Sequence, residues 1–351
     1  MDSSDLGRLE ELFVSMHRQV DTYIGYPVNA AFDYSPLARF LRLPLNNVGD
    51  PFAGGPTRVN THEFEREVVR DFARLAGDEN AWGYVTTGGS EGNVYGLMLA
   101  RERFPDGVAY HSADSHPSIA KALRLLRVSG VEVRSLPDGS LDPGDFRERL
   151  RTEAPAIVVA NVGTTMKGAV DDLPGIRAAL DNAGIGRRFI HADAALAGMV
   201  LPFADEPPPW DFRAGVDSIT ISGHKLIGSP VPCGVILTRR EHAEHVAHMT
   251  IPGSRDGLAP LFLWYAWRTH GVAGFHGIVR ACFKVAEYAV ERLRIAGRHP
   301  WRHPHSLTVI FDRPAAESVR KWQLGVKGNL ARLVAMPHVT HAHVDWFVRE
   351  L

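Results

Sequence analysis

At 351 residues, 45% hydrophobic and 23% charged, the chain can hold one large and one small domain around a sizeable core. Its net charge of -1 leaves no basic surplus for nucleic acid or an anionic membrane, and no apolar run reaches the roughly 18–20 residues of a membrane helix. Two cysteines, Cys233 and Cys282, with no CxxC spacing, point to a reducing cytoplasm, and the acidic, amphipathic start is unlike a signal peptide.

In chain order, the first predicted element is a helix from Leu6 to about Tyr23. A Gly/Pro/Asn-rich track follows to about residue 55. So long an irregular arm is expected to wrap a domain or a second subunit. From 56 to about 256 helical patterns alternate with short β-rich runs. HEFEREVVRDFARLAG carries helical spacing and a glycine stop. GVAYHS, VEVRSL, AIVVANVG, RRFIHAD, SITIS and GVILTRR read as strands, with HPSIAKALRLLRVSG and LPGIRAALDNAGIG as helices between them. That alternation predicts an α/β fold, a mostly parallel sheet covered on both faces, with ligands at the carboxyl ends of its strands. From 257 to 351 the pattern changes to a small α+β domain. It comprises a long helix, Ala259 to Gly297, broken near Gly271–Gly277, then a strand in SLTVIFDRP, a strand candidate in KWQL and a last helix from His341 to Leu351.

Several strand ends carry residues able to do chemistry. In YVTTGGSEGN a strand meets Gly-Gly-Ser and a helix begins, which makes an anion cradle from free N–H groups, the Ser90 hydroxyl and the helix dipole. The plain alternative is an ordinary capped turn. Asp193 follows a strand among Ala, Leu and Gly, where a carboxylate needs a cationic partner or serves as a cap. Thr164 and Thr165 sit past another strand, and His111, Asp114 and His116 lie where a strand gives way to a helix. His224 and Lys225 stand together before a Gly/Pro-rich turn. The 17 histidines include no HExxH and no Cys/His pairing, so no metal is expected. One cofactor needs a phosphate cradle, a carboxylate, a flat ring, a hydroxyl and a lysine together: pyridoxal 5'-phosphate. A lysine amine holds its aldehyde, and an acid keeps its pyridine nitrogen protonated.

The segments IGYP, FDYSPLARFLR, NNVGD, EFEREV, WGYVTTGGSEGN, RERFPDG, DSHPSIAKALRLLR, NVGTTMKGAVDD, HADAALAGM, DSITISGHKLIGSPVPCG and GSRDG resemble the group II pyridoxal-phosphate-dependent amino-acid decarboxylases. Within them the likeness is greatest to bacterial histidine decarboxylases and plant serine decarboxylases, and WRHPHSLTVIF extends it into the small domain. The resemblance implies the fold-type-I architecture of pyridoxal enzymes, a homodimer, and conversion of L-histidine to histamine and carbon dioxide, or decarboxylation of serine. It makes Lys225 the Schiff-base lysine. Ser222, His224, Gly89 and Ser90 would hold the phosphate, and Asp193 the pyridine nitrogen. Ala195 would lie under the ring, and His116 would stack on it and contact the substrate. Thr165, ahead of Thr164, would bond the phenolic oxygen, and Tyr26 of the arm would face the substrate.

The sequence departs from that pattern in one place. The resemblance implies a longer stretch before GSR with a tyrosine that protonates the product carbon. Here EHAEHVAHMTIPGSRDGL, 241–258, is short and has none, and Leu258 stands where a histidine is expected. A decarboxylation-coupled oxidative deamination, or another pyridoxal reaction, is therefore the alternative.

Overall fold

The computed structural model describes residues 2–54, 57–243 and 249–351. Helix α1 (Ser3–Val20) is capped by the Asp2 carboxylate, which accepts from Asp5 N–H, and it buries no residue in the chain. The arm that follows is tied down by long-range bonds. Val334 N–H donates to Ile24 O, Asn29 Nδ2 to Leu226 O at 2.8 Å and the Tyr34 hydroxyl to Ile227 O at 2.6 Å. The arm thus braces the two residues directly after Lys225. Within it, β1 (Asn46–Val48) leads to α2 (His62–Leu75).

The central sheet is built from β2 (Trp82–Thr86), α3 (Gly89–Arg103), β3 (Val108–Ser112), α4 (Pro117–Leu126), β4 (Ser129–Val133), α5 (Pro143–Arg149), β5 (Ala156–Asn161), α6 (Leu173–Asn182), β6 (Arg188–Asp193), β7 (Ser218–Ser222) and β8 (Gly234–Thr238). The order across it is β2-β8-β7-β6-β5-β3-β4. The β4-β3-β5-β6-β7 block is parallel, and β8 runs antiparallel to both β7 and β2. Strand β5 shows why both faces must be covered. Ile157 and Val159 enter the apolar cluster shared with Tyr95 and Leu97 of α3, while Val158 and Ala160 enter the cluster on the other face. Side chains alternate across a strand, so a run with no polar residue buries both sides.

The chain then passes through α7 (Arg240–Ala243) and β9 (Ser254–Asp256), which pairs with β1. Arg255 of β9 is fully buried against Glu65 of α2, whose carboxylate also accepts from Val85 N–H and Asn47 Nδ2. The GSRDG segment is therefore a structural clasp on the arm. Helix α8 (Ala259–Ile295) contains one non-helical residue, Gly271 (φ 58°, ψ -174°), inside the expected break. The last part is β10 (Thr308–Asp312), α9 (Ala316–Lys321), β11 (Gly325–Lys327), β12 (Leu330–Val334) and α10 (His341–Arg349), with sheet order β10-β12-β11. KWQL is not a strand. Lys321 ends α9, Trp322 caps it and Gln323 turns the chain at φ 48°, so the strand starts at Gly325. Of the short 241–258 segment, residues 244–248 lie outside the described residues.

Candidate active site

A cavity of about 320 Å³ opens at the carboxyl ends of the parallel strands, a size typical of small-molecule sites. All ten residues to which the resemblance assigns a role line it. Gly89 and Ser90 arrive from the β2–α3 turn, His116 from the start of α4, Thr165 from the loop after β5, and Asp193 and Ala195 from the end of β6. Ser222, His224 and Lys225 follow β7, and Tyr26 reaches in from the arm.

The anion cradle is tightly made. Gly88 has φ 144°, a conformation that L side chains rarely adopt. A β-carbon at Gly89 would lie 3.0 Å from Ser222 Oγ and 3.6 Å from the Ala195 methyl. The turn is fixed from behind by Glu91, whose carboxylate accepts from Thr87 N–H and hydroxyl at 2.7 Å and from the Tyr84 hydroxyl at 2.7 Å. Glu91 is thereby occupied, and the N-terminus of α3 is left to an outside anion.

Lys225 sits in a loop fastened at both ends. Gly223 N–H donates to Cys233 O at 2.8 Å, and Ser229 N–H to Gly223 O at 3.2 Å. Its amine makes no hydrogen bond or ion pair among the described residues. Burial pushes its pKa below the ordinary lysine value, nearby Asp193 partly opposes this, and Arg332 adds to it. A buried amine biased toward its neutral form is a nucleophile. His224 is anchored at Nδ1 by the Cys233 backbone, 2.8 Å from its O and 3.2 Å from its N. Burial lowers its pKa, and an anion at its free edge would raise it again.

Asp193 accepts from Asn93 Nδ2 at 2.9 Å and from Ala195 N–H at 3.3 Å. His116 is the N-cap of α4, its Nδ1 2.8 Å from Ser118 Oγ. Its pKa is lowered, first by burial and then by Lys225 and Lys121, with Asp193 opposing. Thr164 turns its hydroxyl back to accept from Ala169 N–H at 3.0 Å, whereas Thr165 lines the cavity and its hydroxyl has no hydrogen bond among the described residues. Asp114, weighed from the sequence, pairs with Lys167 and Lys327 instead, and His111 bonds the Ser112 carbonyl, so neither enters the cavity.

Four further lining residues escape a reading of the motifs: Asn93, His305, Asn161 and Arg332. Asn93 lies four residues after Gly89, one helical turn on, so helical spacing gives a signal for it. Arg332 interrupts the apolar LARLV strand. It is buried, donates from Nε to Gly25 O at 3.1 Å, and has no carboxylate partner among the described residues. Burial lowers even its pKa.

These residues fit pyridoxal 5'-phosphate. The set offers a glycine-lined cradle for a dianion, a buried carboxylate opposite it, an unpaired amine and a flat imidazole. Residues 67–301 match the family described as the pyridoxal-dependent decarboxylase conserved domain. The chain is 43% identical over 353 residues to a histidine decarboxylase of Pseudomonas entomophila, covering 96% of this chain and 88% of that one. It is 45% identical over 342 residues to serine decarboxylase 3 of Oryza sativa subsp. japonica, covering 93% and 77%. Among solved structures, L-methionine decarboxylase from Streptomyces sp.590 superposes with a TM-score of 0.90 at 26% identity, covering 100% of this chain and 95% of that one.

Proposed function

The chain belongs to the pyridoxal-dependent decarboxylase family and is a pyridoxal-phosphate-dependent amino-acid decarboxylase, and on that premise we propose that it converts L-histidine to histamine and carbon dioxide. Full-length similarity to histidine decarboxylases carries the choice of substrate. The cavity wall agrees with it. Leu196, Val200 and Leu307 are apolar, and the half-buried His305 has no hydrogen bond within the described chain, leaving one polar group for a substrate imidazole. L-Serine is the second candidate, because rice serine decarboxylases are as similar.

When bound, pyridoxal 5'-phosphate supplies a carbonyl that condenses with amines and a protonated ring that accepts the electron pair left by the departing carboxylate. The chain's own residues do the rest. Gly89, Ser90, Ser222 and His224 hold the phosphate. Lys225 would hold the cofactor's carbonyl through its amine, whose burial lowers its pKa and favours the neutral, nucleophilic form. Asp193 holds a proton on the ring nitrogen, preorganised electrostatics in a dry site. His116 would offer a flat imidazole to the ring, and the small Ala195 would leave room for it. Thr165 donates to the phenolic oxygen. Arg332, a buried cation with no carboxylate partner among the described residues, would bind the substrate carboxylate beside Tyr26 and orient it.

A second reading is favoured by one observation, the short 241–258 segment without a tyrosine. Without such an acid the alternative overall reaction is oxidation of the amino acid by oxygen with water, giving aldehyde, carbon dioxide, ammonia and hydrogen peroxide. Incubating the cofactor-loaded enzyme with the twenty common amino acids and identifying amines, carbon dioxide, ammonia and peroxide tests both. Histamine without peroxide supports the first reading; no amine from any amino acid would reject it.

The same proposal includes a homodimer in a reducing cytoplasm. The exposed Leu6, Leu9, Leu12, Phe13, Val14 and Met16 of α1 support a second copy as the cover for that helix. Both cysteines are buried and unpaired. No helix among the described residues is long and apolar enough to cross a membrane. The division into arm (1–55), large domain (56–256) and small domain (257–351) belongs to this reading too.

A further inference from the structure

Behind the cavity, five buried side chains form an unbroken hydrogen-bonded line from the core of the sheet to His116. Ser218 Oγ is 2.7 Å from His191 Nδ1, and His191 Nε2 is 3.0 Å from Asn93 Oδ1. Asn93 Nδ2 is 2.9 Å from Asp193 Oδ2 and 3.0 Å from Ser118 Oγ, which is 2.8 Å from His116 Nδ1. Asn93, His191, Ser218 and Ser118 are all at most 4% exposed, so water does not complete their bonding. Gly96 makes the line possible, since a β-carbon there would collide with His191 Nδ1.

The direction of every bond follows from which groups can donate. A carboxylate only accepts, so the Asn93 amide must turn its NH₂ toward Asp193. The second N–H of that NH₂ then donates to Ser118 Oγ. Ser118 has one proton left, and it points at His116 Nδ1. Backbone Ser118 N–H, 3.2 Å away, points at the same nitrogen. At the other end Asn93 Oδ1 must receive, so His191 donates from Nε2 and accepts from Ser218 at Nδ1. The burial that drives the His191 pKa down to about 4 keeps that ring neutral and the lock in place.

We propose that Asn93 and Ser118 are positioning residues that pass the carboxylate character of Asp193 to His116, holding its Nδ1 as an acceptor and its single proton on Nε2, toward the cavity. The groups assigned to the ring nitrogen and to the ring face are then one hydrogen-bonded unit. His116 cannot take a second proton on Nδ1 without breaking two bonds. Besides these bonds it is faced by Asp193, Lys225 and Lys121. The proposal rests on the cofactor reading for its functional meaning, but every atom in the line is protein.

Nitrogen-15 NMR of the imidazoles, on protein with and without added cofactor, tests it, with His116→Gln identifying the His116 signals. Wild type should show a bare Nδ1 and a protonated Nε2 at neutral pH. Ser118→Ala leaves the backbone Ser118 N–H as the remaining hold on Nδ1, and Asn93→Ala leaves the Ser118 hydroxyl undirected beside it. In each, a fraction protonated at Nδ1 should appear and His116 should titrate at higher pH than in wild type. In the loaded enzyme, the acid limb of kcat should move up in pH and kcat should fall about tenfold, the effect of one net hydrogen bond, with KM little changed. Ser118→Thr, which keeps the hydroxyl, should restore the wild-type signals. A protonated Nδ1 in wild type, or a tautomer and pH profile unmoved in both alanine variants, overturns the proposal. A missing visible absorbance band on adding cofactor would overturn the cofactor reading alone, and the tautomer result would still stand.

Discussion

The guanidinium of Arg332 lies 5.5 Å from the centre of the Tyr26 ring, joining the last strand of the chain to its arm at the cavity wall. Arg332 has no carboxylate partner among the described residues; as the holder of the substrate carboxylate, its replacement in Arg332→Gln should lower kcat/KM about 10²-fold, equivalent to about 2.7 kcal/mol. The visible absorbance of the loaded enzyme should be unchanged. Steady-state kinetics with an unaltered spectrum is the expected outcome; a variant with normal kcat/KM removes Arg332 from the site.

Lys225→Ala should abolish both turnover and the visible band of lysine-bound cofactor. Asp193→Ala should keep some cofactor but lose kcat by about 10²–10³-fold, as when a preorganised charge-stabilising group is removed. Spectroscopy and turnover together separate the two roles, and a persistent band in Lys225→Ala would remove the lysine from its assigned place.

Acid should weaken the fold through His191. Its pKa falls from the ordinary 6.5 to about 4 because it is buried. Between these values the unfolded chain binds the extra proton, so this contribution is whole above pH 6.5 and is lost as pH falls toward 4. At pH 5 the loss is roughly 2 kcal/mol. Asp171, which burial pushes up to about 6, works in the opposite direction over much of the same range. The comparison must therefore be wild type against His191→Gln. Urea unfolding at pH 7 and pH 5 should show the smaller acid loss in the variant.

The Glu65–Arg255 pair should matter for stability. Both residues are buried, and the carboxylate also serves Val85 and Asn47. Arg255→Ala leaves that carboxylate without its charge partner and should destabilise by roughly 3–5 kcal/mol. A urea midpoint equal to wild type would show that the arm does not depend on this clasp.

The cofactor half of the site was legible in the sequence because it sits on strand ends. Lys225, Asp193, Gly89 and His116 each follow or precede a recognisable strand or helix, and parallel strands bring their carboxyl ends to one edge. Arg332 and His305 were not legible. Nothing local tells that β12 and the segment before β10 lie against that same edge; only the tertiary fold does. KWQL misled because its apolar Trp322 and Leu324 suit a strand as well as a helix end, and the left-handed turn at Gln323 decided it. Asn93 was hidden for another reason: in a motif dominated by glycines and Ser90, an amide four residues on looks like a solvated helix position until Asp193 is found beside it.

Because β8 returns antiparallel to β7, the lysine is carried on a hairpin whose two stems are zipped into the sheet. Gly89, Asp193, Ser222 and Lys225 sit at strand ends of this sheet, while Tyr26, His305 and Arg332 come from outside it. The cavity is thus closed by two walls of different origin, the sheet on one side and the arm with the small domain on the other. A change at Tyr26 or His305 can therefore alter what the cavity admits without disturbing the strands that carry Asp193 and Lys225.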